Sequence, residues 1–119
     1  MNKHPESQEQ EKVVTWLRLQ YPFVLFTAST LDFTSFKTAR RRERMGYKSG
    51  TPDLMIFEQR GTYGGLFVEM KACKGGIVSE AQENFLTALN HRGYLTTVAH
   101  GFDEAMKQII SYLDLPLRK

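Results

Sequence analysis

Two short apolar segments joined by a glycine-rich turn constrain the fold of this chain more than any other feature. Residues 53–57 and 66–72 each have the length and composition of one strand, and the sequence QRGTYGG between them is rich in turn residues. This pattern predicts a β-hairpin with a loop longer than the tight two-residue kind. A third good strand pattern at 94–99 follows a helical segment, which favours a mixed sheet.

Helical patterns surround the predicted hairpin. The first, Pro5–Gln20, has a proline at a favourable first helical position and apolar residues at helical spacing. The second follows Ser79, which opens a run with capping-box spacing, and the third begins at Gly101 or Asp103. With a strand at 23–28, the predicted order is α-β-β-β-α-β-α, an α/β fold in which helices flank a mixed sheet. We expect the 119 residues to form one domain.

Composition excludes several classes of protein. The chain is 41% hydrophobic and 24% charged, as is typical of a globular domain and not of a disordered tail. No apolar run approaches the ~20 residues that a membrane span needs, and the polar N-terminal segment does not resemble a secretory signal. The single cysteine, Cys73, excludes an internal disulfide and a cysteine-based zinc site, and it fits a reducing compartment.

Asp53, Glu69 and Lys71 form the candidate site. Glu69 and Lys71 project from one face of the second strand because strand side chains alternate, and Asp53 opens the partner strand, where it can lie across from Glu69. Two carboxylates at close range suit a hard divalent cation such as Mg²⁺, to which the Met70 carbonyl could add a ligand. On spacing alone, the same side chains could equally form a cross-strand salt bridge on a solvated surface.

Two polar residues stand at the head of the inward stripe of the first helix. The stripe that contains Val13 and Leu17 extends backwards to Gln10 and Glu6. Taken alone, Glu6 is better explained as a first-turn acid that faces the helix dipole, which is a common arrangement.

The ordered set of motifs resembles the VRR-NUC (virus-type replication-repair nuclease) family of the PD-(D/E)XK nuclease superfamily. The matching pieces are Glu6-Ser7-Gln8-Glu9-Gln10, Trp16-Leu17, Tyr21-Pro22, Gly50-Thr51-Pro52-Asp53-Leu54, Gly65-Leu66-Phe67-Val68-Glu69-Met70-Lys71, Ser79-Glu80-Ala81-Gln82 and Gly93-Tyr94. The PD and ExK elements are weakly specific alone, whereas their order and spacing together are much more specific. The resemblance implies a restriction-endonuclease-like fold. One departure is Ala28-Ser29-Thr30, where family members often have an Asn-Gly-like turn.

The resemblance also implies roles for individual residues. Asp53 and Glu69 match the metal-binding carboxylates, and Lys71 matches the catalytic lysine. Glu6 matches the acid on the first helix that completes the site, directly or through a water molecule. Gln82 matches a glutamine near the metal or the scissile phosphate, although its place in the capping box leaves a purely structural role as the alternative. The expected cofactor is Mg²⁺ or Mn²⁺.

Positive charge is concentrated just before Asp53. The net charge is only +3, but six of the sixteen cationic residues fall between residues 37 and 48. These are Lys37, Arg40, Arg41, Arg42, Arg44 and Lys48. Such a run is usually a solvated helical surface, but beside a phosphodiesterase site it favours contacts to DNA phosphates, as does Lys74 after the ExK strand. The nearby Phe33, Phe36 and Tyr47 could stack on unpaired bases or anchor the segment to the core.

The implied function is metal-dependent hydrolysis of DNA phosphodiester bonds. Stand-alone domains of this group resemble Holliday-junction resolvases, which predicts branched DNA as substrate, a homodimer, and the cytoplasm of a bacterial or phage-infected cell. One alternative is a nicking, flap-directed or sequence-directed nuclease of the same fold. Another is a non-catalytic DNA-binding module, against which the intact Asp53, Glu69 and Lys71 argue. The three histidines have no metal-ligand spacing.

Overall fold

The structure, a computed structural model, describes the backbone of residues 5–29 and 36–117 and the side chains of residues 7–29 and 39–117. In these ranges helices and strands follow one another along the chain. They are α1 (Pro5–Gln20), β1 (Phe26–Ala28), α2 (Phe36–Arg44), β2 (Leu54–Ile56), β3 (Leu66–Lys71), α3 (Glu80–His91), β4 (Leu95–His100) and α4 (Phe102–Leu113). Within these ranges, no helix combines the length and the apolar composition of a membrane span.

The strands form one mixed sheet in the order β1-β2-β3-β4, as the sequence predicts. β1 and β2 are antiparallel, β2 and β3 form the expected hairpin, and β4 runs parallel to β3. Apart from shifts of one residue at the ends of the other strands, two details differ from the prediction. The predicted order omits the helix α2. Its residues are good helix formers, but they lack the stripe of apolar residues from which the other helices were predicted. β1 begins at Phe26 and not at Phe23, because residues 22–23 form a turn.

α1 and α4 cover one face of the sheet and form the main core with it. Alternate residues of β2 and β3 point to this face, and Leu54, Val68 and Met70 are at most 2% exposed. α3 lies on the opposite face, where it packs against β4. The residues of β3 that alternate with the core residues, Glu69 among them, therefore lie under α3 and not on an open surface.

α4 begins with a hydrogen bond supplied by another helix. Gly101 precedes it with φ +94° and has no side chain to cap it. Glu9 of α1 caps the helix instead, since its Oε1 accepts a hydrogen bond of 2.8 Å from the Phe102 N–H. A hydrogen bond from Lys12 lowers the pKa of the Glu9 carboxyl most, and the hydrogen bond from the Phe102 N–H lowers it further. The contact ties the first turn of α4, directly after β4, to α1.

Candidate active site

The start of β2 and the end of β3 bring two carboxyl groups together. Asp53 directly precedes β2, and the antiparallel register that pairs Leu54 with Val68, continued by one residue, places Asp53 across from Glu69. Asp53 Oδ2 accepts a hydrogen bond of 2.7 Å from the Met70 N–H, which holds the carboxylate against the β3 backbone. Ser29, directly after β1, secures the same turn: its N–H donates to the Asp53 carbonyl at 2.9 Å, and its hydroxyl donates to the Pro52 carbonyl. This contact of Ser29 was not anticipated from the sequence.

Glu69 carries a carboxyl group that is almost completely buried, with 2% of the residue exposed. Its Oε2 accepts a hydrogen bond of 2.9 Å from Gln82 and lies 3.7 Å from Lys71 Nζ. Its Oε1 is buried and has no hydrogen-bond partner among the described residues. Burial above all, reinforced by the nearby Asp53 carboxylate, raises the pKa of Glu69 to about 8, although Lys71 opposes the rise. This environment excludes an ordinary salt bridge on a solvated surface.

The arrangement fits a hard divalent cation. Mg²⁺ is commonly held by one or two carboxylates and keeps several waters, so Asp53 and Glu69 are a sufficient protein contribution. The partnerless Glu69 oxygen beside a second carboxylate is suited to accept positive charge. No group of three or more His, Cys, Asp and Glu side chains that could hold a metal occurs in the described part of the chain. Glu6 lies in the first turn of α1, but its side chain is outside the described residues.

Gln82 links Lys71 to Glu69. Its Oε1 accepts hydrogen bonds of 2.9 Å from Lys71 Nζ and from the Ser79 N–H, while its Nε2 donates to Glu69. Both groups that face Oε1 are donors, which fixes the orientation of the amide. The Ser79 hydroxyl in turn accepts from the Gln82 N–H at 3.1 Å and completes the capping box. The same amide therefore caps α3 and contacts both ionisable side chains of β3, so a structural role and a role at the site are compatible.

Gly50 lets the loop before Asp53 close on the first turn of α3. Its φ is +91°, in a region that other residues rarely adopt, and a Cβ there would lie 2.5 Å from the Ala81 carbonyl carbon and 2.9 Å from Gln82 N. Any larger residue would force the loop and the first turn of α3, which carries Gln82, apart.

The loop after β3 folds back over the Lys71 side chain. A Cβ on Gly76 would lie 2.7 Å from Lys71 Cβ, so the glycine is required for this close approach. His100 lies beside Lys71 in the parallel β3–β4 register, and its Nε2 is 3.1 Å from the Gly76 carbonyl oxygen. Because a carbonyl oxygen can only accept, this contact requires the hydrogen on Nε2. The sequence assigns His100 no role, and only the strand pairing brings it to this loop.

An open cavity of about 480 Å³ lies beside Asp53, Glu69 and Lys71. Its lining residues are Asp53, Glu69, Met70, Lys71, Ala72, Lys74, Gly75, Gly76, Ile77 and Gln82. Arg40, Arg41, Arg42 and Arg44 lie on α2, and with Lys48 they fall outside this lining. Tyr47 is half-buried. The side chains of Phe33, Phe36 and Lys37 lie outside the described residues.

The chain is similar to known proteins in sequence and in overall fold. The model of the VRR-NUC domain family matches residues 4–103, which include every residue that lines the cavity. A solved structure named VRR_NUC domain protein is 28% identical and has a TM-score of 0.83, covering 98% of this chain and 93% of that chain. No match was found among curated proteins. Because the family model spans most of the chain, the chain belongs to the VRR-NUC family, nucleases of the PD-(D/E)XK type.

Proposed function

We propose that the chain is a divalent-metal-dependent endonuclease that hydrolyses phosphodiester bonds in branched DNA. Its family membership supports nuclease activity. The observation that carries the metal dependence is the buried Glu69 carboxyl, whose Oε1 has no partner among the described residues and which faces Asp53. A site of this kind gains most from a bound cation, since the cation compensates the burial of negative charge.

Each residue of the site has a part in the proposed reaction. Asp53 and Glu69 would hold Mg²⁺ or Mn²⁺, with the Met70 carbonyl and Glu6 as further ligands, Glu6 directly or through water. When bound, the ion supplies Lewis-acid polarisation of the phosphate and a template for its alignment. The Lys71 ammonium would stabilise the negative charge that develops on the phosphate in the transition state. Gln82 is assigned the orientation of Lys71, to which it is hydrogen-bonded at 2.9 Å.

The basic helix α2 extends the proposed DNA-binding surface. Arg40, Arg41 and Arg44 are exposed on it, and Arg42 is half-buried. With Lys37, Lys48 and Lys74 they would contact DNA phosphates, which provides affinity without reading sequence.

Cleavage of a labelled panel of DNAs tests the proposal. Four-way junctions, flapped duplexes, nicked duplexes and linear duplexes are incubated with the protein in Mg²⁺, Mn²⁺ or EDTA. We expect cleavage of branched DNA with either metal, none in EDTA, and paired symmetric cuts in the junction, which require a homodimer. Cuts in one strand only would identify a nicking enzyme. Binding without cleavage in either metal would identify a DNA-binding module.

A pair of variants separates the two contacts of Gln82. Ser79→Ala removes a cap and should lower the free energy of unfolding by about 1 kcal/mol, with cleavage within a few-fold of wild type. Gln82→Ala should cost similar stability and also slow cleavage by about tenfold or more, because Lys71 and Glu69 each lose a charge-assisted hydrogen bond. Thermal unfolding and single-turnover cleavage measure the two effects. Equal cleavage losses in both variants would mean that Gln82 acts only as a helix cap.

A further inference from the structure

A second cavity, here called the α3 cavity, lies along the side of α3. It has a volume of about 330 Å³ and is lined by Lys48, Phe85, Ala88, Leu89 and Arg92. Leu89 is buried and Phe85 and Ala88 are half-buried, so the floor is apolar and aromatic, whereas Lys48 and Arg92 are exposed. An aromatic surface between two cations is complementary to a nucleotide, which combines a flat base with anionic phosphates.

α3 connects this cavity to the candidate active site. Phe85 and Leu89 follow Gln82 by three and seven residues, which is about 4.5 and 10.5 Å along a helix axis at 1.5 Å per residue. A stacked DNA strand advances about 3.4 Å per nucleotide. A strand that ran along α3 with its scissile phosphate beside Lys71 and Gln82 would therefore pass the α3 cavity one to three nucleotides from that phosphate.

The two cations are placed to receive the phosphates of such a strand. Arg92 Nη1 donates to the Ala88 carbonyl at 2.9 Å, which holds the guanidinium at the last turn of α3 and uses one of its five N–H donors. Lys48 lies two residues before Gly50, whose backbone closes on the first turn of the same helix. The cavity thus has a positive charge on the helix and another on the facing loop.

We propose that the α3 cavity binds one unpaired nucleotide one to three positions from the scissile phosphate, with its base against Phe85 and its phosphates at Lys48 and Arg92. The inference rests on the proposed nuclease function and narrows the substrate to DNA with a base released from its pair near the cut, as at a flap or a branch point. In a continuous duplex the same base is paired and stacked, and its release costs free energy. The cavity therefore supplies selectivity for branched DNA without base-specific hydrogen bonds.

Abasic scanning of a flapped DNA tests the proposal. Each nucleotide near the cut is replaced in turn by an abasic residue, and the Kd is measured in EDTA, which prevents cleavage. We expect one position at which the abasic residue weakens wild-type binding about tenfold. Phe85→Leu keeps the floor apolar, and it should weaken binding of the intact DNA by a similar factor and lose the sensitivity to that position. Arg44→Gln should weaken binding to every DNA equally and keep the sensitivity.

Two controls complete the test. Phe23→Leu makes the same substitution at a residue that is 96% exposed, and it should change neither affinity nor abasic sensitivity. The double variant Lys48→Gln, Arg92→Gln alters only exposed side chains, and it should weaken binding to flapped DNA more than to fully paired duplex. The proposal would be overturned if no abasic position weakened binding to the wild type, or if Phe85→Leu kept the sensitivity to the abasic position. It would also be overturned if the double variant lost equal affinity for flapped DNA and for fully paired duplex. Cleavage of the same flapped DNA in Mg²⁺ is scored separately, so these failures would leave the nuclease function standing.

Discussion

Replacing Lys71 by alanine is expected to slow DNA cleavage about a thousandfold while DNA affinity changes by no more than a few-fold. Lys71 Nζ is held 2.9 Å from Gln82 Oε1 and 3.7 Å from Glu69 Oε2, at the wall of the candidate active site. An ammonium that stabilises charge mainly in the transition state affects the rate and not the binding of the ground state. Affinity, by contrast, comes from many phosphate contacts spread over the surface.

Single-turnover cleavage and equilibrium binding measure the two quantities for each variant. Asp53→Asn and Glu69→Gln should also abolish cleavage with affinity retained. Lys74→Ala is the matched control, because Lys74 lines the same cavity but has no assigned part in the transition state. We expect Lys74→Ala to weaken DNA binding modestly and to leave the single-turnover cleavage rate of the bound DNA unchanged. Near wild-type cleavage by Lys71→Ala would remove its assigned role.

Without metal, the free energy of unfolding is expected to fall as the pH rises from 5 to 8, and Glu69→Gln should abolish this fall. The pKa of Glu69 is about 8 in the folded protein, above its ordinary value of 4.5. The folded state therefore holds the proton more tightly, and this stabilisation is complete below pH 4.5 and lost as the pH rises through 8. Each pH unit in that window removes at most about 1.4 kcal/mol.

Magnesium should reverse this loss of stability at high pH, because a bound cation favours the ionised form of the Glu69 carboxyl. Adding Mg²⁺ at pH 8 should stabilise the wild type by RT ln(1 + [L]/Kd) and should stabilise Glu69→Gln and Asp53→Asn much less. In EDTA at pH 8, where Glu69 begins to ionise, Asp53→Asn should be neutral or stabilising. An amide oxygen can still accept from the Met70 N–H, while the repulsion between Asp53 and the ionised Glu69 disappears. Unfolding curves from pH 5 to 8, with EDTA or Mg²⁺, measure these effects. A wild-type stability in EDTA that stays flat like that of Glu69→Gln would contradict the prediction.

Patterns between near neighbours were sufficient for much of the architecture. The alternation of residues 66–72 placed Glu69 and Lys71 on one face, and the glycine-rich turn predicted the antiparallel β2–β3 hairpin. The capping-box spacing after Ser79 predicted the start of α3, where both hydrogen bonds of the box are present. These features depend on backbone geometry and on side chains a few residues apart, so a single sequence contains the information that determines them.

Contacts between distant segments were decided only by the tertiary structure. His100 and Gly76 are 24 residues apart, and Glu9 and Phe102 are 93 residues apart, so no local spacing could indicate either contact. The environment of Glu69 is the clearest case. Alternation alone places it on the polar face of a strand, where a solvated salt bridge is a fair expectation. α3 covers that face, leaves Glu69 2% exposed beside Asp53, and so raises its pKa, because the cost of a charge depends on what surrounds it in space and not on its neighbours in the chain.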